Sequence, residues 1–325
     1  MLFITNRTAM QSARSKLNRR ISFNYDNTSP SAYLYFCERT GKDEYKEIKQ
    51  DAFFSQLKAL PNDTQILFYL HGFNNNMEPH IFNNAKALQK LINKQSDKEK
   101  LVKVIPLIWP CDDDSPIHFA DDYYDDQDAA DGSGLAFSRL LGKFDKWKQA
   151  EAQTKEPCLK RINILAHSMG NRVLKNALKK WAEDYSNSNM PQLFRNVFMV
   201  AADVKNEILE KGEEGEFIVD SARNVVVYYA NDDLAMPASK IANSLSLKTM
   251  SRRMGMTGPE DMSKLPKKVY EVDCDDFNNK FDKPKGHSYF LTGDGDRVSP
   301  VIPHLTKIIE TGRVPGKRSD RLTDD

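Results

Sequence analysis

Ser168 stands in the run RINILAHSMGNRVLKNAL, between a stretch of strand-forming residues and an amphipathic helical pattern. Ala166 and Gly170, two positions to either side, are small. Small residues there let the backbone turn sharply from strand to helix, which exposes a serine hydroxyl and aims the helix N-terminus at it. Such an elbow usually carries glycine where Ala166 stands, and alanine keeps the need for a small side chain. A serine hydroxyl is a weak nucleophile until a base takes its proton and an acid orients that base. On a strand-to-helix elbow the chain order is nucleophile, acid, histidine, so only His287 and His304 come late enough. His304 falls within a helical pattern, whereas Gly286-His287-Ser288 follows the strand-like run ending near Val272, and His287 is the candidate base. Three aspartates follow strand-like runs and are candidates for the acid: Asp203 after VFMVAA, and Asp232 and Asp233 after VVVYY. The later strand is the usual position, which ranks Asp233 first, Asp232 second and Asp203 third.

The intermediate of acyl transfer carries an oxyanion that needs donors. In ILFYLHGFNNNM, Gly72 lets the backbone approach a ligand closely, directly after a strand-like run. The two expected donors are the amide of Met169, next to the nucleophile, and that of Phe73 in this earlier loop. His71 precedes the serine and is expected to shape the loop by hydrogen bonding. The chemistry these residues imply is hydrolysis of a carboxylic ester or related acyl bond of a small-molecule acyl substrate, through an acyl-enzyme, with no cofactor and no metal.

Such a site needs a rigid scaffold, and the chain has one in outline. Short apolar runs recur at Ile66 to Leu70, Val102 to Trp109, Ile162 to Ala166, Val197 to Ala202, Val225 to Tyr229 and Val269 to Val272. They are nearly continuous rather than alternating, as strands buried on both faces of a parallel sheet require. Between them lie helical stripes: Met77, Ile81, Phe82, Ala85, Leu88, Leu91 and Ile92, then Val173, Leu174, Ala177, Leu178 and Trp181. Leu2 to Thr5 and Ala32 to Cys37 predict antiparallel edge strands, and Val298 to Ile309 a last helix. The alternation predicts an α/β fold, a mostly parallel sheet of about eight strands flanked by helices. One domain is expected over 1–311, with an acidic loop and possible lid at 111–133 and a mobile polar tail at 312–325.

The chain resembles a bacterial α/β-hydrolase family catalogued as a domain of unknown function. The resemblance rests on Thr5-Asn6-Arg7, the HGFNN loop, Trp109-Pro110, the AHSMGNR elbow, Ala201-Ala202-Asp203-Val204 and the final GHSYF, and covers roughly residues 1–295. It implies the α/β-hydrolase fold and a Ser-Asp-His triad. The family's aspartate is followed by alanine and a large apolar residue, which Asp233-Leu234-Ala235-Met236 resembles, so the resemblance favours Asp233 over Asp232.

Composition excludes several other classes. The chain has 40% hydrophobic and 29% charged residues, a globular balance. With 47 basic and 46 acidic residues its net charge is +1, which offers no general attraction to nucleic acid or to an anionic membrane. Cys37, Cys111, Cys158 and Cys274 form no metal-ligand spacing and read as free thiols. The start has basic residues after a very short apolar run and no later run approaches a membrane span, so a cytoplasmic protein without stable membrane insertion is expected; protein partners stay unknown. From Asp112 to Asp131 there are nine aspartates and no lysine or arginine. A solvated acidic segment is the plainer reading and a lid for cationic substrates the sharper one. The Asp126, Asp128 and Asp131 spacing misses the calcium-loop pattern. KTMSRRMGMTGPEDM is adaptable enough to line an acyl pocket or to act as packing. Two rival functions use the same fold: a catalytically silent binding or scaffold protein, and a membrane-acting lipase.

Overall fold

The computed structural model describes residues 1–111, 119–158, 160–185, 190–234 and 252–324. Eleven strands form one sheet: β1 (Leu2–Thr5), β2 (Arg20–Ile21), β3 (Tyr35–Gly41), β4 (Glu44–Glu47), β5 (Gln65–Leu70), β6 (Val102–Ile108), β7 (Ile162–His167), β8 (Phe194–Val200), β9 (Ala222–Tyr229), β10 (Val269–Asp273) and β11 (Ser319–Arg321). The described helices are α1 (Lys49–Lys58), α2 (Phe82–Gln95), α3 (Phe119–Ala152), α4 (Gly170–Tyr185), α5 (Glu216–Asp220), α6 (Met254–Thr257), α7 (Asn278–Phe281) and α8 (Val301–Thr311).

The spatial order is β11-β10-β9-β8-β7-β5-β6-β1-β3-β4-β2. From β11 to β1 every neighbour pair is parallel, and β3, β4 and β2 add an antiparallel margin. The sheet is thus mostly parallel, as expected, with eleven strands instead of about eight. β1 is internal, between β6 and β3, not at the edge. β5 and β7 are entirely buried, which accounts for their unbroken apolar sequences. The chain goes from β5 outward to β6, then crosses back to β7 on the other side of β5. That reversal opens a crevice at the carboxyl ends of β5 and β7, where ligands of open α/β sheets bind. The loop after β5 carries His71 to Phe73, and the turn after β7 carries Ser168.

Each face of the sheet buries its own core. On one face Phe53, Phe54 and Leu57 of α1, Phe137, Leu140 and Phe144 of α3, and Val173 and Leu178 of α4 share a cluster. On the other, Phe82, Ala85, Leu88 and Ile92 of α2 meet Val301, Leu305 and Ile308 of α8. The acidic segment expected as a loop over 111–133 is instead helical from Phe119 onward, within the 34 residues of α3; residues 112–118 lie outside the described residues. α3 packs against α4. The contact is close because of small residues: a Cβ on Gly134 would meet Asn176 at 2.7 Å. Asp131 accepts both Nε and Nη2 of Arg172 on α4, at 3.2 and 2.6 Å. Asp125, Asp128 and Asp131 thus lie on a helix whose inner positions, Ala129 and Ala130, are core.

The tail also departs from expectation. Residues 312–325, expected to be mobile, supply β11, whose Ser319, Asp320 and Arg321 register with Glu271, Val272 and Asp273. Its side chains are not core formers; the backbone ladder and Arg318, which donates to the carbonyls of Val269 and Leu265 at 3.0 and 2.7 Å, hold it.

At the amino ends of the strands a buried amide ladder crosses the sheet. Asn224 donates to Asn196 at 2.8 Å, Asn196 to Asn163 at 2.7 Å, and Asn163 to Gln65 at 3.2 Å. Gln65 and Asn224 also donate to the carbonyls of Ile309 and Gly312 at the end of α8, at 2.7 and 3.2 Å. Removing a middle rung leaves its buried neighbours unpaired, which costs the desolvation of each. Asn196→Ala is therefore expected to destabilise the fold by about 2–4 kcal/mol. Urea unfolding would show it as a lower midpoint at unchanged slope, and a loss under about 0.5 kcal/mol would refute the ladder's role.

Candidate active site

Ser168 adopts φ of 51°, a left-handed conformation that a non-glycine residue rarely holds without enforcement. The enforcement comes from its backbone partners. The Ser168 amide donates to the Val200 carbonyl at 2.9 Å, and the Ser168 carbonyl accepts from the amide of Asp203 at 3.2 Å and from Asn171 Nδ2 at 3.0 Å. Asn171 also donates to the Ala166 carbonyl at 2.9 Å, bracing both sides of the turn. Gly170 has no room for a side chain, since a Cβ there would lie 2.6 Å from the His71 carbonyl oxygen. Met169, fully buried, leads into the first turn of α4.

The loop after β5 is built around His71. Its Nε2 accepts from the Trp109 amide at 3.2 Å, which leaves the proton on Nδ1 to donate to the Gly72 carbonyl at 2.9 Å. The ring stacks on Trp109 with centroids 4.9 Å apart, and Trp109 Nε1 donates to the His71 carbonyl at 3.0 Å. Burial pushes the pKa of His71 down to about 3, so it stays neutral and keeps this tautomer. Asn75 Nδ2 donates to the carbonyls of Gly72 and Phe73, at 3.3 and 2.7 Å. In a trans peptide the N–H points opposite to the C=O, so the Phe73 amide faces away from the groups that hold the Gly72 carbonyl. A Cβ on Gly72 would lie 2.9 Å from His167 Nδ1 and 3.0 Å from Ser168 Cβ, so glycine is what allows this loop to seat on the elbow. Gly72→Ala is expected to push the loop away and, with the Phe73 amide as the expected oxyanion donor, to lower kcat/KM about a hundredfold. An alanine variant within threefold of wild type on an activated ester would sink that expectation.

The three candidate aspartates have separate places. Asp233, completely buried in the loop after β9, has Oδ2 2.6 Å from Nδ1 of His287. The His287 side chain is 13% exposed. Asp232, one residue earlier, accepts from Asn278 Nδ2 at 2.6 Å and from Asn279, so it braces the chain around α7. Asp203 pairs with the buried Arg253, Oδ1 to Nε at 3.4 Å. His304 lies in α8, where its Nδ1 meets the Tyr228 hydroxyl at 2.8 Å, on the core side of the sheet. Burial lowers the His287 pKa, but the charge and hydrogen bond of Asp233, with the fields of Asp282 and Asp203, outweigh it and raise the pKa above its ordinary 6.5.

His287 is joined to the elbow through the residue before the serine. His167 Nε2 donates to the His287 carbonyl at 3.3 Å, and the two rings lie 4.8 Å apart. Burial first, and then His287, hold the His167 pKa well below 6.5 and keep its ring neutral. The His287 loop owes its shape to Asp282, whose Oδ2 accepts the amides of His287 and Ser288 at 2.8 and 2.7 Å, and to Gly286 at φ of 63°. Leu234, beside the acid, donates its amide to the Lys285 carbonyl at 2.8 Å and so ties the acid loop to the histidine loop.

Sequence reasoning missed several of these partners. Asn171, three residues after the serine, and Asp282, five before the histidine, brace turns only a few residues away, whereas Arg253 acts on Asp203, distant in the chain. For Asp282 a signal was present in the turn-forming Pro284 and Gly286 that follow it. Arg253 begins a strap across the end of the sheet. Its neighbours Met254 and Gly255 donate to the carbonyls of Val204 and Ala202, both at 2.9 Å, and Gly255 accepts from the Ala230 amide at 3.0 Å. Ala201, under the strap, holds φ of 44°, and a Cβ on Gly255 would lie 2.5 Å from its carbonyl carbon. In the methionine-rich stretch, Met254 is core rather than pocket wall, and residues 248–251 lie outside the described residues.

The sheet with its switch point, the strained serine turn and the facing loop define an α/β-hydrolase. The chain belongs to the family described as alpha/beta hydrolase of unknown function (DUF900), whose family model matches residues 46–293. No curated protein and no solved structure matches it. Among the described residues no group of three or more His, Cys, Asp or Glu side chains is arranged to hold a metal ion, and no helix is long and apolar enough to cross a membrane.

Proposed function

We propose that this α/β-hydrolase is a serine hydrolase that cleaves a carboxylic ester or related acyl bond of a small molecule through an acyl-enzyme. The observation that carries the proposal is the 2.6 Å contact of the fully buried Asp233 with His287 Nδ1, in a loop joined through His167 to the left-handed turn that holds Ser168. With Nδ1–H donated to Asp233, the lone pair of His287 is on Nε2, the position from which a base accepts a serine proton.

In the first half-reaction Ser168 Oγ attacks the substrate carbonyl carbon as His287 Nε2 takes the hydroxyl proton. The carbonyl electrons move onto oxygen, where the amides of Phe73 and Met169 stabilise the charge. When the tetrahedral intermediate collapses, the bond to the leaving alcohol breaks and His287 returns the proton to that alcohol. Water, deprotonated by His287, then attacks the acyl-Ser168 ester by the same steps and releases the acid. Asp233 orients the ring and stabilises the imidazolium.

The test is covalent labelling of the purified protein by a fluorophosphonate probe, with the modified peptide identified by mass spectrometry. Labelling on Ser168 that is lost in folded His287→Ala supports the proposal. A wild-type protein that takes no label points to the silent binding-protein reading instead.

A further inference from the structure

The amino ends of β7, β8 and β9, opposite the candidate active site, border a cleft of about 390 Å³. Lys148, Lys160, Arg161, Arg195 and Arg223 line it, and among the described residues no acidic one does. The imbalance is local, since the whole chain carries only +1. Elsewhere basic side chains find carboxylates: Arg19 meets Glu47, Arg39 meets Glu78 and Arg172 meets Asp131. None of the five in the cleft makes an ion pair among the described residues. Leu159 and residues 186–189, next to its borders in sequence, carry no charge.

Three of the five, Arg161, Arg195 and Arg223, are close enough to repel one another. Lys160 is 5% exposed, and its ammonium rests on two neutral acceptors, the carbonyls of Leu60 and Pro61, each at 2.7 Å. Burial lowers its pKa, with the field of Asp63 opposing. Arg195 lies against Gly312 at the end of α8, and its Nε is buried without a hydrogen-bond partner. Burial, then Arg161 and Arg223, lower its pKa too. A buried unpaired donor and a set of like charges both cost stability, and a multiply charged anion would offset both.

We propose that this cleft binds a small molecule bearing a phosphate or diphosphate group. Arg161 and Arg223 line the cleft at exposed positions, where a planar guanidinium suits paired phosphate oxygens, and five basic residues together exceed what a monocarboxylate would neutralise. The volume falls in the range of small-molecule sites and exceeds what free phosphate needs, leaving space beside Ile162, Leu193 and Phe194 for an attached organic group. The site stands independently of the chemistry at Ser168, since a six-residue strand separates the two ends by about 20 Å.

Cys158 supplies a readout at the place itself, because it lines the cleft and is partly exposed while Cys37, Cys111 and Cys274 are buried. The experiment is calorimetric titration of the full chain with inorganic pyrophosphate at constant ionic strength, alongside the rate of Cys158 alkylation by N-ethylmaleimide. One binding event per chain is expected, with a Kd below about 1 mM and slower alkylation of Cys158 as the site fills. The double variant Arg161→Gln, Arg223→Gln, both exposed positions, is expected to weaken binding at least tenfold while fluorophosphonate labelling stays as in wild type and Tm does not fall. Absence of heat in the wild type, or equal binding by the double variant, overturns the proposal. So does equal competition by sulfate, which marks a general anion patch, or binding to phosphatidic acid vesicles without binding of pyrophosphate, which marks a lipid surface.

Discussion

Ser168→Ala is expected to lower turnover of an activated ester such as p-nitrophenyl acetate by about 10⁴- to 10⁶-fold, the loss that removal of a serine nucleophile produces. Fluorophosphonate labelling should vanish with it. The variant should fold, because the turn is held by the backbone partners of Ser168 and by Asn171, none of which involves the hydroxyl. His287→Ala should fall by a similar factor, and the double variant little further, because nucleophile and base act as one unit. Steady-state kinetics on purified variants, with circular dichroism as the check on folding, measures all three. A Ser168→Ala protein that keeps more than about 1% of wild-type turnover would mean that another group is the nucleophile.

Asp233→Asn is the second large effect, about 10⁴-fold in kcat, because an amide at that place can hold the imidazole in the wrong tautomer and cannot stabilise its charged form. It carries a pH signature as well. His287 must be neutral to accept a proton, and its pKa lies above 6.5, so the acidic limb of wild-type kcat/KM should fall above pH 6.5. With the Asp233 carboxylate gone, burial remains as a force lowering the pKa, and the limb should move to lower pH. Stability runs the other way. The folded state favours protonated His287, so the pair's contribution is fully present below pH 6.5 and is lost as pH rises through the raised pKa. The enzyme should gain activity over the range in which this one interaction gives up stability. A limb in Asp233→Asn unchanged from wild type would show that Asp233 does not govern the base.

Much of this molecule was legible in its residue order, for local reasons. The runs ILFYL, INILA and VFMV are apolar throughout because strands at the centre of a parallel sheet are buried on both faces, so β5, β7 and β8 declared themselves. The small residues around Ser168 marked a strand-to-helix turn because steric crowding there acts between near neighbours. His287 was separable from His304 because helical periodicity is visible over a few turns. The same locality misled in two places. A run of aspartates has no apolar signature of its own and reads as a loop, yet it enters α3, where Arg172 and Asn176 of another helix receive Asp131. Polar residues 319–321 read as a mobile tail, yet a parallel edge strand needs only a ladder of backbone hydrogen bonds, and that requires no particular side chain.

Residue order was enough to specify a buried parallel sheet with a serine at a sharp turn and a histidine in a late loop, because hydrophobic periodicity and steric permission are written over a few adjacent residues. Residue order ranked Asp233 first among three aspartates, and the folded loops show which of them meets that histidine. Asp232 and Asp233 differ by one position, and only the folded loops turn one toward Asn278 and the other toward His287, while Arg253 engages Asp203 from 50 residues away. The cationic cleft belongs to the same category. Its five charges come from α3, the amino ends of β7 and β9 with the residues just before them, and β8, and only the packing of the sheet brings them to one place.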